Sequence, residues 1–143
     1  MRILVDADAC PVKQIIAREA GALTVLWFAT ADHEQPDPEH WIRVDKGPDA
    51  VDHAIFGAAR AGDLVVTADY GLAALCLGRG AAVLHPDGWR YTEQAMPALL
   101  TERYLSAKTR RAGGRTRGPR PRSGGDDEAF RAALRGALGG PAQ

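Results

Sequence analysis

Residues 2–13, RILVDADACPVK, drive an apolar run straight into two aspartates spaced by one, and the reading of this stretch decides the fold. Ile3, Leu4 and Val5 read as a short buried strand, and Pro11 suits the first turn of a following helix. Asp6 and Asp8 therefore stand where a strand ends. The same alternation continues along the chain. Strands are expected at 3–7, at 23–30 (LTVLWFAT), at 41–45, at 63–69 (DLVVTAD) and at 81–86 (AAVLHP). Helices are expected at 11–20, from near Pro48 to the stop at Gly62, at 70–80, at about 92–105 and over 126–138 (DDEAFRAALRGAL). A polar loop rich in Pro and Asp separates the second and third strands. Strands alternating with helices predict an α/β fold with a mainly parallel central sheet flanked by helices. No internal repeat interrupts the pattern.

With 143 residues and 45% hydrophobic content, the chain is long enough for one domain with a real core. No run approaches the roughly 18 apolar residues of a membrane span, and the start lacks the pattern of a signal peptide. A cytoplasmic protein is expected. Cys10 and Cys76 show neither CxxC nor Cys/His ligand spacing, so free thiols are expected rather than zinc or a disulfide. Cys10 lies near a helix start, which would lower its pKa, yet without a clear histidine partner a packed thiol is the better reading.

The net charge of zero hides an asymmetry: residues 1–102 carry 15 acids and 8 bases, whereas residues 103–143 carry 3 acids and 10 bases. Eight of those bases fall in the acid-free run RYLSAKTRRAGGRTRGPRPR, residues 103–122. Such a segment, rich in Gly and Pro, reads as a solvated linker or as an arm that neutralises nucleic-acid phosphates without sequence preference. Lys108, Arg110, Arg111, Arg115 and Arg117 are the candidate contacts. Three segments are expected: an α/β domain over 1–105, a basic flexible linker over 106–125, and a short helix with tail over 126–143.

In open parallel sheets, ligands bind outside the carboxyl ends of the strands. Asp6 and Asp8 follow the first strand, Asp45 ends the third, Asp49 and Asp52 lie in the first turns of the second helix, and Asp69 ends the fourth strand. If the strand order brings the first, third and fourth together, all converge on one edge. Clustered carboxylates repel and raise one another's pKa values unless a cation sits among them, and oxygen ligands select Mg²⁺ or Mn²⁺ rather than zinc. A hard ion holding a water can hydrolyse a phosphodiester. Each acid also has a plain structural reading. Asp8 would cap the first helix, Asp49 would favour the helix dipole, and Asp69 would cap the third helix. Asp6, at the end of a buried strand, is costly without a partner. Thr30 and Thr67 end strands on the same side of the sheet, where a hydroxyl can orient a water or a carboxylate. Of the four histidines, His53 alone is read as lying near the acids.

The segments ILVDADACPVK, PDAVDHAI, GDLVVTADYGLA and RYLSAKTRRAGGRTRGP resemble the YaiI/YqxD family of bacterial proteins, which is related to PIN-like nuclease domains. The resemblance runs from Met1 to about Pro119. It implies a three-layer PIN-like fold with the basic segment as a C-terminal extension, and a metal pocket formed by acids at strand ends. Asp6 stands in the slot of the PIN acid after the first strand, Asp8 belongs to the family's DxD, Asp49 and Asp52 occupy the central acidic region, and Asp69 falls in TADYGL. Two departures are visible: Gly71 stands where PIN nucleases often place another acid, and the central helix offers Asp instead of Glu.

The resulting expectation is a Mg²⁺- or Mn²⁺-dependent ribonuclease with Asp6, Asp8, Asp52 and Asp69 as catalytic ligands and Asp49 as a further candidate. Its substrate arm would run from Lys108 to Arg122, and its partners would be RNA and, by analogy with PIN-like domains, a second copy. RNA rather than DNA rests on that analogy. The alternatives are a non-catalytic nucleic-acid-binding module of the same fold and a haloacid dehalogenase-like phosphatase. The phosphatase reading is weakened by Cys10 at the position where that chemistry has Thr or Val.

Overall fold

The computed structural model describes residues 1–8, 10–30, 40–45, 47, 49–114 and 121–139. Its elements are β1 (Ile3–Asp6), α1 (Lys13–Glu19), β2 (Val25–Ala29), β3 (Trp41–Arg43), α2 (Ala50–Ala58), β4 (Leu64–Val66), α3 (Tyr70–Gly78), β5 (Ala82–Leu84), β6 (Arg90–Tyr91), α4 (Met96–Arg111) and α5 (Gly124–Ala137). The sheet order is β3-β2-β1-β4-β5-β6. All pairings are parallel except the antiparallel β5–β6 edge. Helices cover both faces, so the architecture is the three-layer α/β one that the alternating pattern predicts. The two-residue β6 is too short to show a period and was not expected. Among the described residues no helix is long and apolar enough to cross a membrane.

Although β1 is apolar throughout, its side chains alternate between two cores. Ile3 and Val5 pack with Val12 and Ile16 of the α1 segment and with Phe130 and Leu134 of α5. Leu4 faces the opposite layer, with Val51 and Ile55 of α2 and Leu72 and Cys76 of α3. By the same alternation Asp6 points to the α2/α3 side. Val65 and Phe28 also belong to that core, which places Thr67 and Thr30, two residues further on, on the same side. At the other end of the sheet Arg2 clamps Asp63, donating through Nη2 to Oδ2 at 2.6 Å and through Nε to Oδ1 at 3.2 Å. Burial would raise the Asp63 pKa, but the Arg2 guanidinium and the Arg60 N–H outweigh it and hold the carboxyl low.

Two boundaries differ from the sequence reading in ways that bear on the site. The α1 helix begins at Lys13 with Val12 in the cap position, leaving Pro11 in the preceding turn. The α4 helix runs six residues past Leu105, through the start of the expected linker. Its last turn carries Lys108, Arg110 and Arg111, cations that the negative end of the helix dipole favours. Pro48, expected at the start of the second helix, and the polar loop at 31–39 lie outside the described residues.

The C-terminal helix is part of the core. Asp126 accepts the Ser123 N–H at 2.9 Å at its start, and Phe130 and Leu134 are fully buried. Arg122, expected as the end of a substrate arm, is an internal tie: it donates to Asp87 at 3.1 Å, to the Pro86 carbonyl at 2.9 Å and to Asp127 at 2.9 Å. Contact between the β5–β6 turn and α5 depends on Gly88. Its φ is +97°, and a Cβ there would lie 2.6 Å from the Ala129 carbonyl carbon. Gly88→Ala is expected to cost about 2 kcal/mol or more in urea unfolding, from backbone strain and overpacking together. Gly57→Ala, inside α2 with nothing within 4 Å of its Cβ position, is expected to stabilise by about 0.5–1 kcal/mol.

Candidate functional site

The pairing of β1 with β4 sets Val5 opposite Val66, so Asp6 and Thr67 leave the sheet side by side. Thr67 Oγ1 donates to Asp6 Oδ2 at 2.9 Å and accepts the Asp69 N–H at 3.0 Å. One hydroxyl thus links the strand-end acid to the turn that carries the next one. Asp69 is the N-cap of α3, its Oδ1 accepting the Leu72 N–H at 2.9 Å. The capping and clustering readings of Asp69 are both satisfied by one side chain. Gly71 lies beside it, where a Cβ would come 3.3 Å from Asp69 Oδ1.

The first turn of α2 supplies Asp52 from the facing layer. Its pKa is pushed up to about 6, by burial first, then by the charge of Asp69 and a hydrogen bond with it, and further by Asp6 and Asp49. Asp6 is also raised, chiefly by burial; the Thr67 hydroxyl opposes this, while Asp69 and Asp8 reinforce it. Asp6, Asp52 and Asp69 are therefore one electrostatic unit. Asp49 stands at its margin, in the N-cap position of α2 at φ +61° and exposed, with no capping hydrogen bond from its side chain.

Asp8 does not cap α1. Its carboxylate is bound across the loops to the end of β2, where it accepts from the Thr30 N–H at 3.1 Å and from Thr30 Oγ1 at 2.5 Å. Thr30 and Thr67 thus each orient a carboxylate. The third strand is not a neighbour of β1, because β2 lies between them, and Asp45 is an exposed residue beyond that edge strand. Cys10 is buried, and burial raises its thiol pKa instead of the helix start lowering it.

Helix α4 packs against α3 and brings positive charge to the acids. Arg103 Nη1 lies 3.5 Å from Asp69 Oδ1, with its guanidinium 5.9 Å from the centre of the Tyr70 ring. Asp69 and Arg103 line two adjoining clefts. One, of about 530 Å³, also contains Asp6, Tyr70, His85 and Arg110; the other, of about 590 Å³, contains Asp49, Asp52 and His53. Sequence reading missed Arg103 as an individual contact and missed His85. For Arg103 a signal was present, since 103, 106 and 110 recur at helical spacing once the helix is extended. Nothing local marked His85. Arg115 and Arg117 lie outside the described residues.

The donor set suits a hard divalent cation in chemistry: carboxylate oxygens only, two of them with raised pKa values that a cation would relieve. Among the described residues no group of three or more His, Cys, Asp or Glu side chains is arranged to hold a metal ion. Mg²⁺ commonly takes one or two protein carboxylates and keeps its remaining waters, and the pairs formed within Asp6, Asp52 and Asp69 fit that mode rather than a closed cage.

Comparison with known proteins places the chain in a family. The profile described as "Uncharacterized BCR, YaiI/YqxD family" matches residues 4–139, and the chain belongs to that family. Proteins named UPF0178 protein from Bacillus anthracis and Bacillus cereus are 45% identical to it over 144 residues, covering 96% of this chain and 99% of each relative. No solved structure matches.

The raised pKa of Asp52 has a stability consequence. The folded value, about 6, lies above the ordinary 3.8, so the folded state binds more protons between them and stability falls as pH rises through that window. Asp52→Asn should remove this loss. Discounted for solvent screening, the variant is expected to be more stable than wild type by about 1 kcal/mol at pH 8 and equal to it near pH 3.5, measured by urea unfolding across pH.

Proposed function

We propose that this member of the YaiI/YqxD family is a divalent-metal-dependent phosphodiester hydrolase acting on RNA in the cytoplasm. The observation that carries the reading is the raised pKa of Asp6 and Asp52 beside Asp69, in two adjoining clefts of which Arg103 lines both and Arg110 one. A cation would relieve the raised pKa values of Asp6 and Asp52, and arginines beside them supply what a phosphate needs for entry. The three-layer fold, with acids at the carboxyl ends of neighbouring parallel strands, is consistent with the PIN-like resemblance, and RNA is chosen over DNA on that likeness alone.

Within this reading a pair drawn from Asp6, Asp52 and Asp69 would hold Mg²⁺ or Mn²⁺, and the bound ion would lower the pKa of a water and offset charge on the phosphate. The chain's own groups do the rest. Thr67 keeps Asp6 oriented, and its hydroxyl, donating to the carboxylate, opposes the rise in pKa that burial causes. Arg103 is half exposed and its Asp69 contact is long, so the pair is worth little in water and is readily exchanged for a phosphate contact. Arg110 shares the helical face of Arg103, Lys108 and Arg111 add positive charge to the same last turn of α4, and these side chains would bind backbone phosphates without reading bases. Asp8, bound to Thr30, supports the β1–α1 loop and shapes the rim.

A non-catalytic RNA-binding role is the second reading, favoured by the Asp69 oxygen already shared between Leu72 and Arg103. Calorimetric titration with Mn²⁺ at pH 7.5 separates the two. One saturable site, weakened about tenfold or more in both Asp6→Asn and Asp69→Asn, together with chelator-sensitive cleavage of single-stranded RNA, is the expected result. Absence of Mn²⁺ binding with RNA affinity retained would overturn the hydrolase and leave the binding module.

A further inference from the structure

We propose that His85 is a further substrate-contacting residue of the acidic cleft, a neutral imidazole that donates a hydrogen bond from Nε2 to a non-bridging phosphate oxygen. The inference rests on the phosphodiester reading above and assigns it a residue outside the aspartate motifs.

His85 directly follows β5, the strand beside β4, so it leaves the same edge of the sheet as Thr67 and Asp69. Its ring is held from three sides. The Asp87 N–H donates to Nδ1 at 2.9 Å, the ring stacks on Trp89 with centroids 4.5 Å apart and planes within 14°, and Tyr91 closes the inner side with its centroid 6.1 Å away. The turn is itself rigid, since His85 N–H donates to the Trp89 carbonyl and Gly88 N–H to the His85 carbonyl, each at 2.9 Å. Arg122 and the close approach of α5 at Gly88 lock the turn from outside.

A ring nitrogen that accepts a hydrogen bond carries no proton, so in the neutral ring the proton sits on Nε2. That nitrogen has no hydrogen-bond partner among the described residues, and it is not a buried orphan, because the only such side-chain atom among them is Trp27 Nε1. The side chain is 14% exposed and lines the cleft that also contains Asp6, Asp69, Arg103 and Arg110. Burial disfavours a second proton, with Arg122 adding to the effect and Asp87 opposing it.

A neutral donor at this position has a specific use. An imidazolium would compete with a cation for the carboxylates, whereas a neutral N–H can meet a phosphate oxygen without adding charge beside them. It does not act as a general acid, because losing the Nε2 proton from a neutral ring leaves an imidazolate. Its contribution is orientation and stabilisation of charge on the phosphate by a preorganised dipole.

The test uses the full chain with His85→Phe, which keeps the stack on Trp89 and loses the donor, and His85→Gln, which keeps a side-chain N–H. Affinity for a fluorescein-labelled single-stranded RNA is measured in Ca²⁺, and single-turnover cleavage in Mn²⁺. His85→Phe is expected to lose about tenfold in affinity or cleavage at a temperature where it stays fully folded, its unfolding midpoint lowered only slightly by loss of the Asp87 N–H acceptor, and His85→Gln to stay within about threefold of wild type. Side-chain ¹⁵N spectra of the wild type should show the Nε2–H tautomer at pH 7, with that resonance moving on RNA addition. Wild-type behaviour of His85→Phe, equal losses in both variants, or an Nδ1–H tautomer would overturn the inference. If wild type binds RNA without cleaving it, the hydrolase reading falls and the affinities still decide for or against His85. If His85→Phe cleaves like wild type, the inference falls alone. Wild type that binds no RNA removes both.

Discussion

The parallel pairing of β1 with β4 is the constraint from which the site follows. A strand buried on both faces must send alternate side chains into two cores, and once Ile3 and Val5 belong to the α1/α5 layer, Leu4 and Asp6 belong to the other. Register with β4 then sets Asp6 beside Thr67, and the hydroxyl satisfies the carboxylate while fixing the Asp69 turn. A carboxylate at the end of a buried strand needs such a partner, because burial without one costs more than a single hydrogen bond returns. The facing helix adds Asp52, and the sum of these placements is a cluster in which Asp6 and Asp52 resist ionising.

Charge is arranged to answer that cluster. The chain separates its acids and bases along the sequence, and the fold reunites part of them by laying α4 against α3. Arg103 spans the joint between the two clefts, near enough to Asp69 to neutralise it partly and exposed enough to leave. A permanent buried ion pair would hold Asp69 silent; a long, solvated one lowers the repulsion while keeping the carboxylate exchangeable. Helix growth through Arg111 matters here, since a linker beginning at Ser106 would not present Arg110 on the same helical face as Arg103.

The C-terminal segment has a structural task that its composition conceals. Basic and glycine-rich stretches read as solvated, yet Arg122 ties the segment to the β5–β6 turn and α5 contributes Phe130 and Leu134 to the first core. The helix therefore supports the turn that carries His85. This couples the far end of the chain to the cleft through packing at Gly88, a contact in which backbone meets backbone and no side chain is available to yield.

How much of this was legible depends on whether the determining interaction is local. RILVDADACPVK alone announced a buried strand ending in acids, the alternation of apolar runs with helices announced a parallel α/β sheet, and Asp6, Asp52, Asp69 and Thr67 were legible as chemistry at strand and helix ends. Hydrophobic periodicity and turn chemistry are properties of neighbouring residues, and a sequence displays them directly. The tertiary structure alone decided that Asp8 binds Thr30 and does not cap α1, that Arg122 pairs inward, that Arg103 faces Asp69, and that His85 enters the cleft. Each of these joins residues distant in the chain, and strand order and helix packing, which no local pattern encodes, choose which of many equally suitable partners actually meet.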